Sequence, residues 1–402
     1  MLKNKKGITL VALVVTIVVL LILAGVSINL VLGNNGIIVK AREAQKKSAE
    51  ASQNDLIGMN KLTQQLEGVL NENGGGNTGE SGTDIKVPAE ATAETAPYFP
   101  DNTFTKKEGT IDTGLVIQDA KGNEYVWVVV PRTTAVYATT GLGKTTFTDA
   151  DYINIETDLK NYTSIYRNGT NCSDTWYADD KNEGWLSETE YKALKNKMLK
   201  SVYENGGFYV GRYEAGIKEN RTGEPGTNNV NSGTKASSLM FGIQWDLVLA
   251  FMSKDKAKIT STEILTKDST TIGNYMNSAF QLSQTGKYAI CLNYVANSKW
   301  NTSTTVTANF VDASRKKIVQ SLEGNGILVT TGTSEQNKVM NMYDIAGNVV
   351  EWTLENSSPT YAPCVYRGGG YDNIGSSRSS SSYYDRYTDH TNDGIGFRVS
   401  LF

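Results

Sequence analysis

Apolar and polar positions divide the chain into four stretches with different periodicities. The opening "MLKNKKG" carries three lysines, and "ITLVALVVTIVVLLILAGVSINLVL" then runs for 25 residues without a charge. At 1.5 Å per residue a helix of that length crosses a hydrocarbon layer of about 30 Å. The pattern therefore predicts a membrane-spanning helix over 8–33. Lysines before the span and none directly after it orient the N-terminus to the cytoplasm and the C-terminal body outward. A cleaved signal peptide would have a shorter apolar core ending in an A-x-A-like site. Over 34–70 the apolar positions thin to a stripe, Leu56, Met59, Leu62, Leu66 and Val69, at helical spacing, which predicts an amphipathic helical stalk. Residues 71–97 are Gly, Ser, Thr, Glu and Ala with almost no apolar content, as in a flexible linker.

From residue 98 the pattern becomes that of a folded body. "GLVIQDAKGNEYVWVVV" places two β-rich runs around a turn signal and predicts a hairpin. "GGFYVGRYEAG" reads as a further strand. In "FGIQWDLVLAFM", Phe241, Trp245, Val248 and Met252 recur at helical spacing and predict a short amphipathic helix. No repeat of useful period is visible.

Composition narrows the chemistry. With 39 Lys and Arg against 42 Asp and Glu there is no basic footprint for nucleic acid. Cys172, Cys291 and Cys364 lie far apart and read as free thiols. His390 is the one histidine in the chain, which rules out a His-rich metal centre. It lies among polar and acidic neighbours and reads as a surface imidazole rather than a catalytic base.

Two family resemblances rest on quoted residues. "KKGITLVALVVTIVVLLILAG" resembles the leader and first helix of type IV prepilins and pseudopilins, over about the first 70 residues. The resemblance implies a leader over 1–7, cleavage by a prepilin peptidase after Gly7, methylation of the new N-terminus at Ile8, and other pilins as partners. The family usually has a glutamate at the fifth mature position, where this chain has Ala12. That departure favours a minor pilin, a tip subunit or a tethered surface protein over a filament-forming subunit.

The phrases "NEYVWVVV", "GGFYVGRYEAG", "FGIQWDLVLAF", "NMYDIAGNVVEWT", "YRGGGY" and "GIGFRV" together resemble the sulfatase-modifying-factor family, the formylglycine-generating-enzyme domain with its complex C-type-lectin-like fold, across 98–402. The fold class implied is α+β. The enzymes of that family hold copper through two cysteines shortly after the "RGG" phrase, and a related branch holds iron with histidines. This chain has no cysteine over 371–393 and a single histidine, so neither copper nor iron, and no enzymatic activity, is expected.

The same scaffold serves the retroelement-diversified variable receptors, whose last strands and loops carry a binding face framed by phrases such as "RGGGY" and "GFRV". By that likeness Tyr371, Asp372, Asn373, Tyr383, Tyr384, Asp385, Tyr387, Asp389, His390 and Asn392 are the candidate ligand-binding residues, for a protein or glycan ligand. Their mixture of Tyr, Asp and Asn is also that of antibody paratopes. Gly368, Gly369 and Gly370 then serve tight backbone geometry, Phe397 and Val399 enter the core, Arg398 donates to loop carbonyls, and Arg378 either does the same or is exposed. The "DIAGNVVEW" phrase further implies a structural Ca²⁺ held by Asp344, the carbonyls of Gly347 and Val349, and Glu351. On the residues alone, Glu351 and Asn348 serve equally well to tie the loop by hydrogen bonds, with Trp352 as a core anchor. The function expected is outward-facing adhesion or ligand capture at the cell surface. A tethered metal-dependent oxidase and a purely structural minor pilin are the alternatives.

Overall fold

The computed structural model describes residues 95–402 except 168–170, 179–185, 216–235, 284–285, 293–294, 297–299, 301–313, 319–325, 358–361, 388–389 and 391–393. The expected leader, membrane helix and stalk, with Gly7 and Ile8, lie outside the described residues, as does nearly all of the expected linker. Among the described residues no helix is long and apolar enough to cross a membrane.

The body is α+β, with more strand than helix. Strands β1 (Thr105–Glu108), β2 (Val116–Gln118), β3 (Glu124–Val129), β4 (Gly207–Gly211) and β5 (Ser237–Leu239) join the last strand of the chain, β15 (Val399–Leu401), in one sheet ordered β1-β2-β3-β4-β15-β5. The predicted hairpin is β2 and β3, whose turn closes where Asp119 Oδ1 accepts from the amides of Lys121 and Asn123. The unbroken apolar run in β3 is explained by burial on both faces. Tyr125 and Trp127 join a cluster with Tyr98, Leu115 and Tyr209, whereas Val126 and Val128 face the main core with Phe208 and Val210. The fold already includes Thr95, whose hydroxyl accepts from Trp127 Nε1 at 2.8 Å.

Three helices fill the main core: α1 (Asp149–Tyr162), α2 (Glu188–Asn205) and α3 (Gly242–Met252); a single turn, α4 (Glu263–Thr266), follows. Capping boxes start the first two, Thr148 with Asp151 and Ser187 with Glu190, and Gly206 in the left-handed region ends α2. The expected amphipathic helix at "FGIQWDLVLAFM" forms as α3 but has no polar face: all eleven residues are buried. Its first two amides donate to the carboxylate of buried Asp174 at 2.6 and 2.9 Å. The apolar periodicity that predicted the helix is therefore one stripe of a helix wrapped by protein on all sides.

A three-stranded sheet, β7-β6-β8, comprises β6 (Tyr288–Leu292), β7 (Val295–Ala296) and β8 (Gly326–Val329). A short ribbon pairs β9 (Lys338–Val339) with β10 (Met342–Tyr343). The remaining sheet, ordered β13-β12-β11-β14, holds β11 (Val350–Asn356), β12 (Cys364–Arg367), β13 (Tyr383–Arg386) and β14 (Ile395–Phe397).

This last sheet reverses the usual polarity, with its inward face carrying charge. Arg367 of β12 pairs with Asp246 of α3 at 2.5 Å and with Glu355 of β11 at 3.4 Å. Arg167, just past a 3₁₀ turn at Ser164–Tyr166, pairs with the same two carboxylates at 2.5 and 3.1 Å. Gly242 makes room for this network, because a Cβ there would meet Glu355 Cδ at 2.1 Å. Removing one partner of a buried ion set leaves the others unpaired in low dielectric, at a cost of about 3–5 kcal/mol. Asp246→Ala is therefore expected to lower unfolding stability by about that amount in chemical denaturation; a loss under about 1 kcal/mol would show that the network is not a structural support.

Candidate functional site

The open face of the β13-β12-β11-β14 sheet is built by strand alternation. Because Glu351, Arg367 and Arg398 point inward, Trp352, Tyr366 and Phe397 point out. Register then lines them up: Phe397 of β14 pairs with Trp352 of β11, Trp352 with Tyr366 of β12, and Tyr366 with Tyr384 of β13. The result is one cross-strand row of four aromatic side chains. Trp352 and Tyr366 meet edge to face with centroids 5.6 Å apart, and Tyr366 and Tyr384 lie nearly parallel at 6.0 Å.

Two arginines complete the row. The Arg378 guanidinium lies against the Tyr384 ring, 3.4 Å from its centroid. Arg386 stands 4.9 Å from Tyr384 and 5.2 Å from Tyr366. Neither has a carboxylate partner among the described residues; Arg386 donates to the Asp385 carbonyl. These two guanidinium groups, with burial as the larger and opposing influence, act on the Tyr366 phenol, whose pKa burial raises. Beside the row a cleft of about 410 Å³ is lined by Arg167, Arg378, Ser381, Ser382, Tyr383 and Asp385, among others.

The loop carrying Arg378 is held from beneath. Gly368 and Gly369 adopt φ of 96° and 70°, and a Cβ on Gly369 would lie 2.3 Å from the Arg378 carbonyl oxygen. Ser379 and Ser380 are buried; Ser380 donates to Leu265 O and its carbonyl accepts from Trp245 Nε1 at 2.9 Å. The serine run over 379–382 is thus an anchored loop.

Of the ten expected ligand-binding residues, Tyr383, Tyr384 and Asp385 lie half-buried on β13, and Tyr387 is 54% exposed just beyond it. His390 is half-buried, and its amide donates to Tyr387 O. Asp372 and Asn373 are half-buried in the preceding loop, where Asn373 Oδ1 accepts from Gly370 N. Asp389 and Asn392 lie outside the described residues. Tyr371 is corrected: at 3% exposure it is a core residue, its amide donating to Asn348 O. Two framework expectations also change. Phe397 is 42% exposed and belongs to the open face, and Trp352 is a half-buried member of the same row rather than a core anchor. Val399 is half-buried against the Trp127 cluster. Gly370, unlike its two neighbours, is not in the left-handed region.

Sequence reasoning missed Tyr366 and Arg386 and placed Trp352 and Phe397 inside. The signal lay in Glu351 and Thr353 on either side of Trp352, which send it out; Leu354, beyond the register shift after Thr353, returns to the core.

Of the four residues expected to hold calcium, Glu351 is paired with Arg398. Glu351 accepts from Arg398 Nη2 at 2.7 Å and from Nε at 3.2 Å, while the same guanidinium donates to Gly211 O and Tyr343 O. Asp344 accepts from Thr331 Oγ1 at 3.0 Å, Gly332 N at 2.9 Å and Asn337 Nδ2 at 3.3 Å. The Gly347 amide donates to Gly368 O, and the Val349 amide to Glu214 Oε1. Asn348 is the hub, accepting from Asn274 and Val329 and donating to Glu214. A cation here would compete with Arg398 for Glu351 and with three donors for Asp344. Among the described residues no group of three or more His, Cys, Asp or Glu side chains is placed to hold a metal ion.

Burial pushes Glu214 well above the usual carboxylate range, and the nearby Asp344 and Glu351 push it further, with Arg398 opposing. A carboxyl whose folded pKa is raised takes up its proton on folding. Its stabilisation is present below the unfolded value near 4.5 and is lost as pH rises through the folded value. The thermal midpoint is therefore expected to fall as pH rises above about 5, and Glu214→Gln is expected to flatten that fall. An unchanged slope in the variant would remove Glu214 as its source.

No family model matches the chain, and no curated protein matches it. Among solved structures it is similar to the crystal structure of CarF, at 14% identity over 69% of this chain and 85% of that chain, with a TM-score of 0.25. It is also similar to Treponema denticola variable protein 1, at 9% identity over 69% of this chain and 84% of that chain, with a TM-score of 0.22. Likenesses this weak carry no argument, and the site is read from its own residues.

Proposed function

We propose that this chain is a ligand-binding surface protein, anchored by a prepilin-like N-terminal helix, that captures a ligand on the open face of its β13-β12-β11-β14 sheet. The observation that carries this reading is the cross-strand row Phe397, Trp352, Tyr366 and Tyr384, exposed at Phe397 and half-buried along the rest, on a sheet whose inner face is held by buried ion pairs. Aromatic side chains displayed in register bring large contact area at low entropic cost, which suits recognition. The uncharged run over 8–33 and the lysines before it support display outside the membrane. Gly7 and Ile8 are the proposed processing site. Binding rather than catalysis is the activity such a face supports.

Aromatic anchors at the centre of a binding face typically cost 2 kcal/mol or more when truncated, roughly a thirtyfold loss of affinity. The full-length chain displayed on cells, probed with a panel of surface glycans and proteins, is expected to bind at least one of them. The double variant Trp352→Ala, Phe397→Ser should lose that binding by about thirtyfold or more while its thermal midpoint stays within a few degrees. Binding that survives both substitutions would place recognition elsewhere on the molecule.

A further inference from the structure

Resting on the reading above, we infer that the ligand of this face is an acidic polysaccharide, bound with its ring faces along the aromatic row and its anionic groups at Arg378 and Arg386. Charge is the first argument. The chain has a formal net charge of −3, so two guanidinium groups on one face without an ion-pair partner among the described residues are a local feature rather than part of a basic surface. Arg378 and Arg386 have no ion-pair partner among the described residues, in contrast to Arg167, Arg212, Arg367 and Arg398, each of which has at least one.

Geometry is the second argument. A guanidinium stacked on an aromatic ring uses its flat face and leaves its in-plane N–H groups free. At 3.4 Å from the Tyr384 centroid, Arg378 is held in that way without spending its fork. Such a group is pre-organised for bidentate pairing with a carboxylate or sulfate.

Shape and polarity separate a polysaccharide from an acidic peptide. Three inter-strand steps of about 4.8 Å make the row roughly 14 Å wide, the span of a few linked sugar rings rather than of one small anion. The adjoining cleft is lined by the hydroxyls of Thr266, Ser381, Ser382 and Tyr383 together with Arg167 and the Asp385 carboxylate, a polar wall unlike the apolar one that receives a peptide's anchor side chain. Hydroxyl donors and acceptors on both partners suit a ligand covered in hydroxyl groups.

The test uses the full-length chain in detergent at 50 mM salt, titrated with polygalacturonate as the carboxylated probe, dextran sulfate as the sulfated one, dextran as the neutral one and polyglutamate as the acidic peptide. Polygalacturonate or dextran sulfate should bind, dextran should not, and whichever of the two binds more tightly identifies the anionic group. Affinity should drop at least severalfold at 200 mM salt. The variant Arg378→Gln, Arg386→Gln should lose tenfold or more with its thermal midpoint unchanged. Binding of either anionic polysaccharide that is unaffected by this variant would overturn the inference, as would tighter binding of polyglutamate or failure of both anionic polysaccharides to bind. Binding of dextran or of another probe that depends on Trp352 but not on the arginines would overturn the inference and leave the binding-face reading standing. If no probe of any class depends on Trp352 or on the arginines, both fall.

Discussion

The buried ion set formed by Asp246, Arg367, Glu355 and Arg167 is the interaction on which the rest of this structure depends. It joins the central helix to two strands and to the turn before Asp174, the residue that caps that helix. Taking four charges out of water is expensive, and their mutual attraction offsets the cost only when geometry is close and remaining partners are satisfied. The short contacts from Asp246 to both arginines meet the first condition, whereas Arg167 Nη2 and Arg367 Nε are buried without a hydrogen-bond partner among the described residues. A second centre, Arg398 with Glu351, fastens the same sheet to the Gly211 and Tyr343 carbonyls.

That constraint has a geometric consequence. Side chains alternate along a strand, so a strand that sends its charges inward sends its alternate residues out. In β11 and β12 those alternates are Trp352 and Tyr366, and register extends the row to Phe397 and Tyr384. The aromatic face proposed for binding is therefore produced by the core: the outer aromatics are fixed in place by the inner charges, and Arg378 is placed over Tyr384 by a serine loop pinned to Leu265 and Trp245.

How much of this was legible in the sequence depended on whether hydrophobicity and burial agreed. They agree in the β2–β3 hairpin, in β4 and in α3, and the periodicity locates each of them. They disagree where ions occupy the interior. There Trp352 and Phe397 look like core residues and Glu355 and Arg367 look like surface ones, and a reading from hydrophobicity alone inverts the sheet. Tyr371 fails in the opposite sense, because its polar neighbours in sequence suggest exposure while Gly326 and Asn348 pack against it. Asn348 itself, with φ of 61°, two amide donors and the Glu214 carboxyl group as partners, behaves as the loop-tying residue that its phrase suggested.

The central claim is that charge inside this sheet holds aromatics outside it. Hydroxyl-radical footprinting read by mass spectrometry tests it directly, because aromatic side chains are oxidised in proportion to their contact with water. Trp352, Tyr384 and Phe397 are predicted to be oxidised readily in the native protein, while Trp127 and Trp245, both fully buried, stay protected. Protection of Trp352 and Phe397 to the level of Trp245 would contradict the account, because it would place the aromatic row inside the fold and leave the protein without the face described here.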